Sequence, residues 1–306
     1  MPSNQSPLGA LPARFRRSRV LIVGCGDVGL RVRSALGRGP RVLALTSQKA
    51  RLAPLRQAGM APLLGNLDEP RSLRRLAGLA QRVLHLAPPP GEGRTDPRTT
   101  HLVRALRLRS PPQHLVYAST SGVYGDCAGA GVPETRPLAP RSARALRRVA
   151  AETAVRMWGR SLGTRASILR VPGIYAPNRE GGTPLARLQR GSPVLVATED
   201  VLTNHIHADD LARACVLALW RGRAQRVYNI NDDAQMPMGD YMTAAAALYG
   251  LPPPPRLSRT EAAKVLSPMQ MSFLEESRRL ENQRMKKELR LRLRYPEVLA
   301  GLAAGL

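Results

Sequence analysis

The 306-residue chain lacks several features on which common structural classes depend. Its three cysteines, Cys25, Cys127 and Cys215, are too few and too widely spaced for a disulfide framework or a CxxC metal site. No apolar run reaches about 18 residues, the length that a membrane-spanning helix requires. These absences predict a protein of the reducing cytoplasm without a membrane-spanning segment.

Acidic and aromatic residues are also scarce. The chain has 47 basic and 22 acidic residues, a formal charge of +25, and only 4% aromatic residues. A nucleic-acid-binding surface would cluster basic residues and interleave them with aromatics, whereas these are spread along the whole chain. We therefore interpret the charge as uniform arginine usage and do not favour nucleic-acid binding. Residues 1–18 are rich in Pro, Ser and Arg and are predicted to be a disordered basic leader.

What the sequence does contain is an alternation of short apolar segments with helical patterns. The apolar segments after residue 18 are VLIVG, RVLALT, APLLGNL, RVLHLAP and HLVYAST. This rhythm predicts an α/β fold with a Rossmann doubly wound parallel sheet in residues 19–171. Proline and glycine interrupt the pattern after about residue 170, so residues 172–306 are predicted to form mainly a small C-terminal substrate-binding lobe, with 201–231 returning to the sheet.

A glycine-rich motif lies between the first strand and the first helix. In VLIVGCGDVGLRV the glycines follow the GxGxxG pattern of a dinucleotide-binding loop. The first glycine permits a tight turn, the second lets the backbone approach a pyrophosphate, and the third allows close helix packing. The alternative is an ordinary glycine-rich turn. The predicted cofactor-binding loop comprises Gly24, Cys25, Gly26, Asp27, Val28 and Gly29.

The end of the second strand indicates which dinucleotide would bind. An acidic residue about 20 positions after the glycine motif would bind the ribose 2′-hydroxyl of NAD. The sequence has no acidic residue between Asp27 and Asp68. The end of the strand carries hydroxyl and cationic side chains instead, namely Thr46, Ser47, Lys49 and Arg51. Such side chains suit a 2′-phosphate, so NADP is the predicted cofactor and NAD is the alternative. Lys49 and Arg51 could equally be solvated charges on a helix face.

The run YASTSGVYGD, residues 117–126, resembles the fifth strand and following loop of the extended short-chain dehydrogenases/reductases, the NAD-dependent epimerase/dehydratase group. RVLHLAPPP, LRVPGIYAPNR, NHIHADDLARA and VYNINDD resemble further segments of that group in the same order. The tail from FLEESRR to VLAGL resembles the ending of a small atypical branch. The resemblance covers about residues 20 to 305 and implies an NAD(P)-binding Rossmann fold with oxidoreductase or epimerase chemistry.

The resemblance also implies roles for individual residues. Thr120 stands where the family has a Ser or Thr that polarises the substrate carbonyl or hydroxyl. Tyr124, in the VYG element, stands where family members generally carry a tyrosine for packing or cofactor-side contacts, and the alternative is that it replaces the missing acid/base. The loops after the third and fourth strands are expected to present further residues to the adenine and ribose, namely Asn66, Leu67, Ala87 and Pro88.

The family's YxxxK acid/base pair has no counterpart in PRSARALRRVAAE, residues 140–152. The alignment places Arg144 on the tyrosine and Arg148 on the lysine. A guanidinium stays protonated and cannot exchange the proton, although Arg148 could still bind a ribose or phosphate. At i, i+4 spacing the two arginines share a helix face, which favours an anionic ligand; equally, both could be solvated or face a partner subunit. Ser142 is predicted to cap this helix.

Two weaker signals lie in the C-terminal half. NHIHADD contains His205, His207 and Asp209 in an HxHxD spacing, but no histidine follows, so no metal is predicted. Instead, Asp209 or Asp210 is predicted to cap the next helix. Arg179 and Arg187 would favour a phosphorylated or nucleotide-linked substrate.

Together these features predict NADP(H)-dependent oxidation or reduction of a carbonyl or alcohol in a small, possibly sugar-nucleotide-like substrate. The alternative is a non-catalytic NADP-binding protein that reports redox state through a partner. The family's dimer helices correspond to about residues 98–109 and 142–160, which are rich in arginine here. Like charges would oppose their association, so both a monomer and a homodimer stay open.

Overall fold

The computed structural model describes residues 17–305. Residues 1–16 of the predicted leader lie outside this range. The strands are β1 (Arg19–Val23), β2 (Arg41–Thr46), β3 (Ala61–Leu64), β4 (Arg82–His85), β5 (His114–Thr120), β6 (Gly131–Val132), β7 (Arg165–Val171), β8 (Gly173–Tyr175), β9 (Val194–Leu195), β10 (Leu202–Thr203), β11 (His205–His207), β12 (Arg226–Asn229), β13 (Met236–Pro237), β14 (Arg256–Leu257) and β15 (Arg279–Leu280).

The helices alternate with these strands. They are α1 (Asp27–Leu36), α2 (Leu52–Gln57), α3 (Pro97–Leu106), α4 (Ala143–Ser161), α5 (Leu185–Gln189), α6 (Ala208–Arg221), α7 (Met238–Leu248), α8 (Arg259–Val265), α9 (Pro268–Phe273) and α10 (Val298–Ala303). Among the helices of residues 17–305, none combines the length and apolarity needed to cross a membrane.

The central sheet of the described chain has seven parallel strands in the order β12-β7-β5-β4-β1-β2-β3. Its middle strands are buried on both faces, which explains why they appear in the sequence as continuous apolar runs. The chain runs outward from β1 to β3 and then returns to β4 on the other side of β1. This reversal creates a crevice beside the end of β1, where ligands of such sheets bind. The predicted α/β Rossmann-like fold is confirmed.

Helices cover both faces of the sheet. One apolar cluster packs α1 and α6 against one face through Val32, Leu211 and Cys215. A second cluster packs α3 and α4 against the other face through Leu102 and Trp158. The glycine loop, the end of β5 and the start of α4 are thereby fixed relative to one another by the core.

The C-terminal part contributes to two regions. β12 extends the central sheet beside β7, whereas β8, β9, β10 and β13 form small two-stranded sheets with other segments. A separate apolar cluster joins α7 and α10 through Tyr241, Met242 and Leu302. The boundary at residues 171 and 172 stays a prediction.

Two helix starts test the sequence-based capping predictions. The Ser142 side chain accepts a hydrogen bond from the Ala145 N–H at the start of α4, as predicted. At α6 the prediction was wrong, because His207 is the N-cap and its Nδ1 accepts from the Asp209 N–H. The Asp210 carboxylate instead accepts the backbone N–H groups of Arg294 and Tyr295, so it anchors the C-terminal segment.

Three buried histidines predict that the fold is sensitive to acid. Burial lowers the pKa of His85 to about 3 and the pKa values of His114 and His205 to about 4. The ordinary histidine pKa is about 6.5, so the unfolded chain binds more protons between these values and stability falls as the pH decreases. We expect a lower urea midpoint at pH 5 than at pH 7, measured at constant ionic strength. In the His205→Asn variant the urea midpoint should change less with pH than in the wild type. An equal change would show that His205 does not cause the acid sensitivity.

Candidate functional site

The three glycines of the GxGxxG motif differ in whether the fold has room for a side chain at their positions. Gly24 has φ +84°, and a Cβ there would lie 2.4 Å from the Ala87 backbone nitrogen. A Cβ on Gly29 would lie 2.9 Å from the Cys25 sulfur. Gly26 differs, because a Cβ there would meet no atom within 4 Å. The fold itself requires Gly24 and Gly29, whereas Gly26 faces open space that a ligand's phosphates can enter.

The start of α1 is suited to an anion. Gly26 is the N-cap and supplies no side-chain hydrogen bond to the first turn. The first N–H groups of a helix lack intrahelical acceptors, and the helix dipole adds positive potential there. Arg51 donates to the Cys25 carbonyl oxygen at 2.7 Å and so adds a guanidinium beside the loop. The free N–H groups at the start of α1 fit the pyrophosphate of a dinucleotide.

The end of β2 presents the hydroxyls and cations that the sequence indicated. Ser47 and Lys49 are exposed, and the Thr46 hydroxyl oxygen accepts a hydrogen bond from the Gln48 N–H at 3.2 Å. Accepting that bond leaves the Thr46 hydroxyl hydrogen free to donate to a ligand. Burial raises the pKa of the Cys25 thiol to about 11, so the loop carries no thiolate at neutral pH.

The loops after β3 and β4 lie on the same edge of the sheet as the glycine loop. Leu67 and Ala87 are buried, and Pro88 is exposed. Asn66 is engaged within its own loop, where its side-chain oxygen accepts from the Asp68 N–H. Arg98 links the two loops by two contacts to the Asp68 carboxylate, at 2.8 and 2.7 Å, and one to the Pro88 carbonyl oxygen. The predicted adenine and ribose contacts of these residues remain predictions.

A cleft of about 690 Å³ opens at the carboxyl end of β5. Thr120 lies in its wall, and its hydroxyl oxygen accepts from the Gly122 N–H at 3.3 Å, which leaves the hydroxyl hydrogen available to a ligand. Five arginines of the described chain line the cleft: Arg141, Arg144, Arg148, Arg187 and Arg278. The Arg187 Nε is buried and has no hydrogen-bond partner in the structure. The lining favours an anionic substrate.

Arg144 and Arg148 both line this cleft, and their contact with a ligand stays a prediction. Arg148 Nη1 donates to the Ala118 carbonyl oxygen at 2.8 Å and to the Tyr117 hydroxyl at 3.0 Å. Its remaining guanidinium N–H groups can donate to a ligand. The Arg144 guanidinium lies 5.0 Å from the centre of the Phe273 ring. Neither arginine can exchange a proton in the working pH range.

Tyr124 lies in the core rather than in the cleft. It is 1% exposed, and its hydroxyl donates to the Asn229 side-chain oxygen at 2.7 Å. The Arg170 guanidinium lies 4.7 Å from its ring centre, and burial raises the pKa of its hydroxyl. The structure therefore corrects the suggestion that Tyr124 replaces the missing acid/base, because its hydroxyl is committed to Asn229.

A buried charged network holds the end of β5. Glu152 and Arg170 form an ion pair at 2.7 Å with both side chains 3% exposed. The Ser119 hydroxyl donates to Glu152 at 2.6 Å, so the residue before Thr120 is fixed to α4. This network positions the Thr120 backbone without touching the cleft.

Sequence reasoning missed two carboxylates in the cleft, Glu275 and Glu276. A Glu276 oxygen accepts from Arg278 at 2.6 Å. The same oxygen lies 4.0 Å from the point where a Cβ on Gly122 would stand, and the Thr120 hydroxyl lies 3.7 Å from that point. The tail thus brings a carboxylate into the same cleft as Thr120, and the only signal in the sequence was the paired glutamates of FLEES.

The HxHxD segment holds no metal cluster. Within residues 17–305, no group of three His, Cys, Asp or Glu side chains could hold a metal ion. The His205 and His207 rings instead pack against aromatic side chains. The ring centres of His205 and Tyr241 are 4.5 Å apart, and those of His207 and Tyr295 are 3.9 Å apart. This packing gives the two histidines a structural role.

The parallel sheet, the crevice beside β1 and the glycine loop define a Rossmann-like fold. A family model described as "NAD dependent epimerase/dehydratase family" matches residues 20–231. The chain belongs to this family.

Among solved structures, a protein of unknown function from Silicibacter pomeroyi DSS is 31% identical, with a TM-score of 0.78 over 94% of this chain and 98% of that one. The UDP-glucose 4-epimerase of Thermotoga maritima, solved with UDP-glucose, has a TM-score of 0.74 over 93% of this chain and 96% of that one. Its 18% identity shows a shared fold alone.

Curated relatives match part of the chain. The GDP-6-deoxy-D-mannose reductase of Pseudomonas aeruginosa is 27% identical over 184 residues, which are 55% of this chain and 60% of that protein. A trifunctional UDP-glucose 4,6-dehydratase, epimerase and reductase of Arabidopsis thaliana is 24% identical over 163 residues, half of this chain and 24% of that protein. The chain therefore aligns with only part of these relatives.

Proposed function

We propose that the protein is an NADP(H)-dependent oxidoreductase acting on a carbonyl or alcohol group of an anionic, sugar-nucleotide-like small molecule. The observation that carries the proposal is the cleft at the end of β5, which combines the Thr120 hydroxyl with five arginines among the described residues. The names of the curated relatives, a GDP-sugar reductase and a UDP-sugar dehydratase, support this substrate class. A cytoplasmic location and a monomeric or homodimeric state belong to the same proposal.

A bound nicotinamide would supply or accept the hydride. Three side chains of this protein would carry out the rest of the chemistry. The Thr120 hydroxyl donates a hydrogen bond to the substrate oxygen and polarises the carbonyl. Arg148 binds an anionic or hydroxyl group beside it. Glu276 exchanges the proton with that oxygen, since it is a carboxylate that lines the same cleft as Thr120.

A second candidate is a non-catalytic NADP-binding protein that reports redox state. Arg144 favours it, because this residue aligns with the family's tyrosine, packs on Phe273 and cannot exchange a proton. Turnover separates the two candidates. We would test the purified protein with NADPH against carbonyl compounds that include nucleotide-linked 4-keto sugars. Turnover that Thr120→Val lowers at least about tenfold supports the enzyme, and NADPH binding without turnover supports the sensor.

The preference for NADP predicts a specific effect of Arg51. Replacing it in Arg51→Gln removes a guanidinium beside the end of β2 and the glycine loop. We expect NADPH binding to weaken about tenfold, the cost of losing one charged hydrogen bond to a phosphate. Calorimetric titration should show NADH binding nearly unchanged. The matched control is Arg38→Gln, which removes the same charge from an exposed position after α1. Equal losses for NADPH and NADH would contradict a 2′-phosphate contact.

A further inference from the structure

An ion-paired cluster joins the glycine loop to the loop between β8 and α5. Asp27, the first residue of α1, pairs with both Arg31 and Arg179. Arg31 also binds Asp209 at 2.6 Å and the Asn178 side-chain oxygen at 2.7 Å. Segments 147 to 178 residues apart in sequence therefore meet at the start of α1, whose free N–H groups would bind the cofactor phosphates.

The two arginines are held very differently. Arg31 is 13% exposed and has three partners, so it is fixed in place. The Arg179 side chain is 26% exposed, and within residues 17–305 Asp27 is the only hydrogen-bond or ion-pair partner of its guanidinium. Its guanidinium can thus move without breaking a second contact of its side chain. A guanidinium binds a phosphate in the same two-pronged geometry as a carboxylate.

The position of Asp27 makes it a competitor of the cofactor. Its carboxylate lies at the first turn of α1, where the positive end of the helix attracts negative groups. Gly26, the residue before it, faces the open space that phosphates would enter. Two negative groups would then stand close together, and Asp27 would lose part of its favourable environment when the phosphates arrive.

The loop that carries Arg179 also reaches the substrate cleft. Backbone hydrogen bonds from Ala176 to Gly182 and from Gly182 to Arg179 fold it into a compact turn. Gly181, Gly182 and Thr183 line the same cleft as Thr120. A movement of Arg179 at one end of this loop therefore changes the wall of the substrate site at the other.

We propose, resting on the proposed NADP(H) function, that Arg179 is a ligand of the cofactor's pyrophosphate and that Asp27 holds it in place until the cofactor binds. On binding, the guanidinium exchanges the Asp27 carboxylate for a phosphate oxygen. Asp27 thereby lowers the affinity for the dinucleotide, whereas Arg179 raises it. The loop that follows Arg179 moves with it and adjusts the cleft.

The test is calorimetric titration of the full chain with NADPH, using Asp27→Asn, Arg179→Gln and the double variant. Asp27→Asn should bind about threefold to tenfold more tightly, because it frees Arg179 and removes a like charge. Arg179→Gln should bind about tenfold more weakly, with Arg179→Lys between it and the wild type. In the Arg179→Gln background, Asp27→Asn should increase the NADPH affinity by a smaller factor than it does in the wild type. A double-mutant cycle measures this difference.

The proposal requires Asp27→Asn and Arg179→Gln to change the NADPH affinity in opposite directions. If Arg179 only fastens the loop to Asp27, both single variants break the same ion pair and shift the affinity in the same direction, which overturns the proposal. Arg38→Gln controls for net charge, and thermal unfolding of each variant shows that it is folded. Wild-type protein that binds no dinucleotide would overturn the proposed function and this proposal together. Wild-type binding that Arg179→Gln leaves unchanged overturns this proposal alone.

Discussion

Gly26→Ala is expected to abolish most NADPH binding while leaving the fold intact. A Cβ on Gly26 meets no atom within 4 Å, and the residue's φ of −84° is accessible to alanine. The loss of a favourable N-cap glycine should cost no more than about 1 kcal/mol of unfolding free energy. The added methyl group occupies the space through which the backbone approaches the pyrophosphate. We expect affinity to fall at least about thirtyfold in calorimetric titration, equivalent to about 2 kcal/mol.

Gly24→Ala is the matched control with the opposite pattern. Its φ of +84° is strained for alanine, and the new Cβ would lie 2.4 Å from the Ala87 nitrogen. This variant should lose several kcal/mol of stability, about 1–2 from the backbone conformation and the rest from the collision. A Gly26→Ala protein that unfolds as easily as Gly24→Ala, or that binds NADPH as tightly as the wild type, would contradict our interpretation of the loop.

Glu152→Gln is expected to cost about 3–5 kcal/mol of unfolding free energy. The substitution keeps the shape of the side chain but leaves the Arg170 guanidinium without its carboxylate, and the Arg170 side chain is 3% exposed. Water cannot compensate the charge, so the penalty is that of an unpaired buried ion. The measurement is urea unfolding monitored by circular dichroism at pH 7.

The control for this loss is a carboxylate paired at the surface. Asp240→Asn removes an ion pair with Arg256 whose side chains are 56% and 32% exposed. Exposed pairs contribute about 0–1 kcal/mol, so this variant should unfold near the wild-type midpoint. Equal effects of Glu152→Gln and Asp240→Asn would show that the network around Arg170 tolerates the loss of its charge partner.

The sequence predicted the features that depend on neighbouring residues. The five apolar runs became β1 to β5, and in the middle strands the runs are continuous because strands buried on both faces need apolar side chains at successive positions. The GxGxxG spacing marked the turn between β1 and α1, and Ser142 marked the start of α4. These predictions succeed because turn geometry, periodicity and capping involve residues a few positions apart.

Capping at α6 shows the limit of such local reasoning. Asp209 and Asp210 have the chemistry of cap residues, yet His207 takes that place. Asp210 is fully buried and receives N–H groups from a segment 84 and 85 residues further along the chain. The need of that distant backbone for a buried acceptor outweighed the local preference.

The sequence by itself determined the sheet, the glycine loop and the absence of a YxxxK pair from residues 140–152. Only the tertiary structure decided which side chains meet at the site. The Tyr124 hydroxyl donates to Asn229, 105 residues away, and Arg179 pairs with Asp27 across 152 residues. The tail also places Glu276 in the cleft that Thr120 lines. The physical reason is that such contacts depend on how sheet, helices and tail pack together, and no local pattern of residues records that geometry.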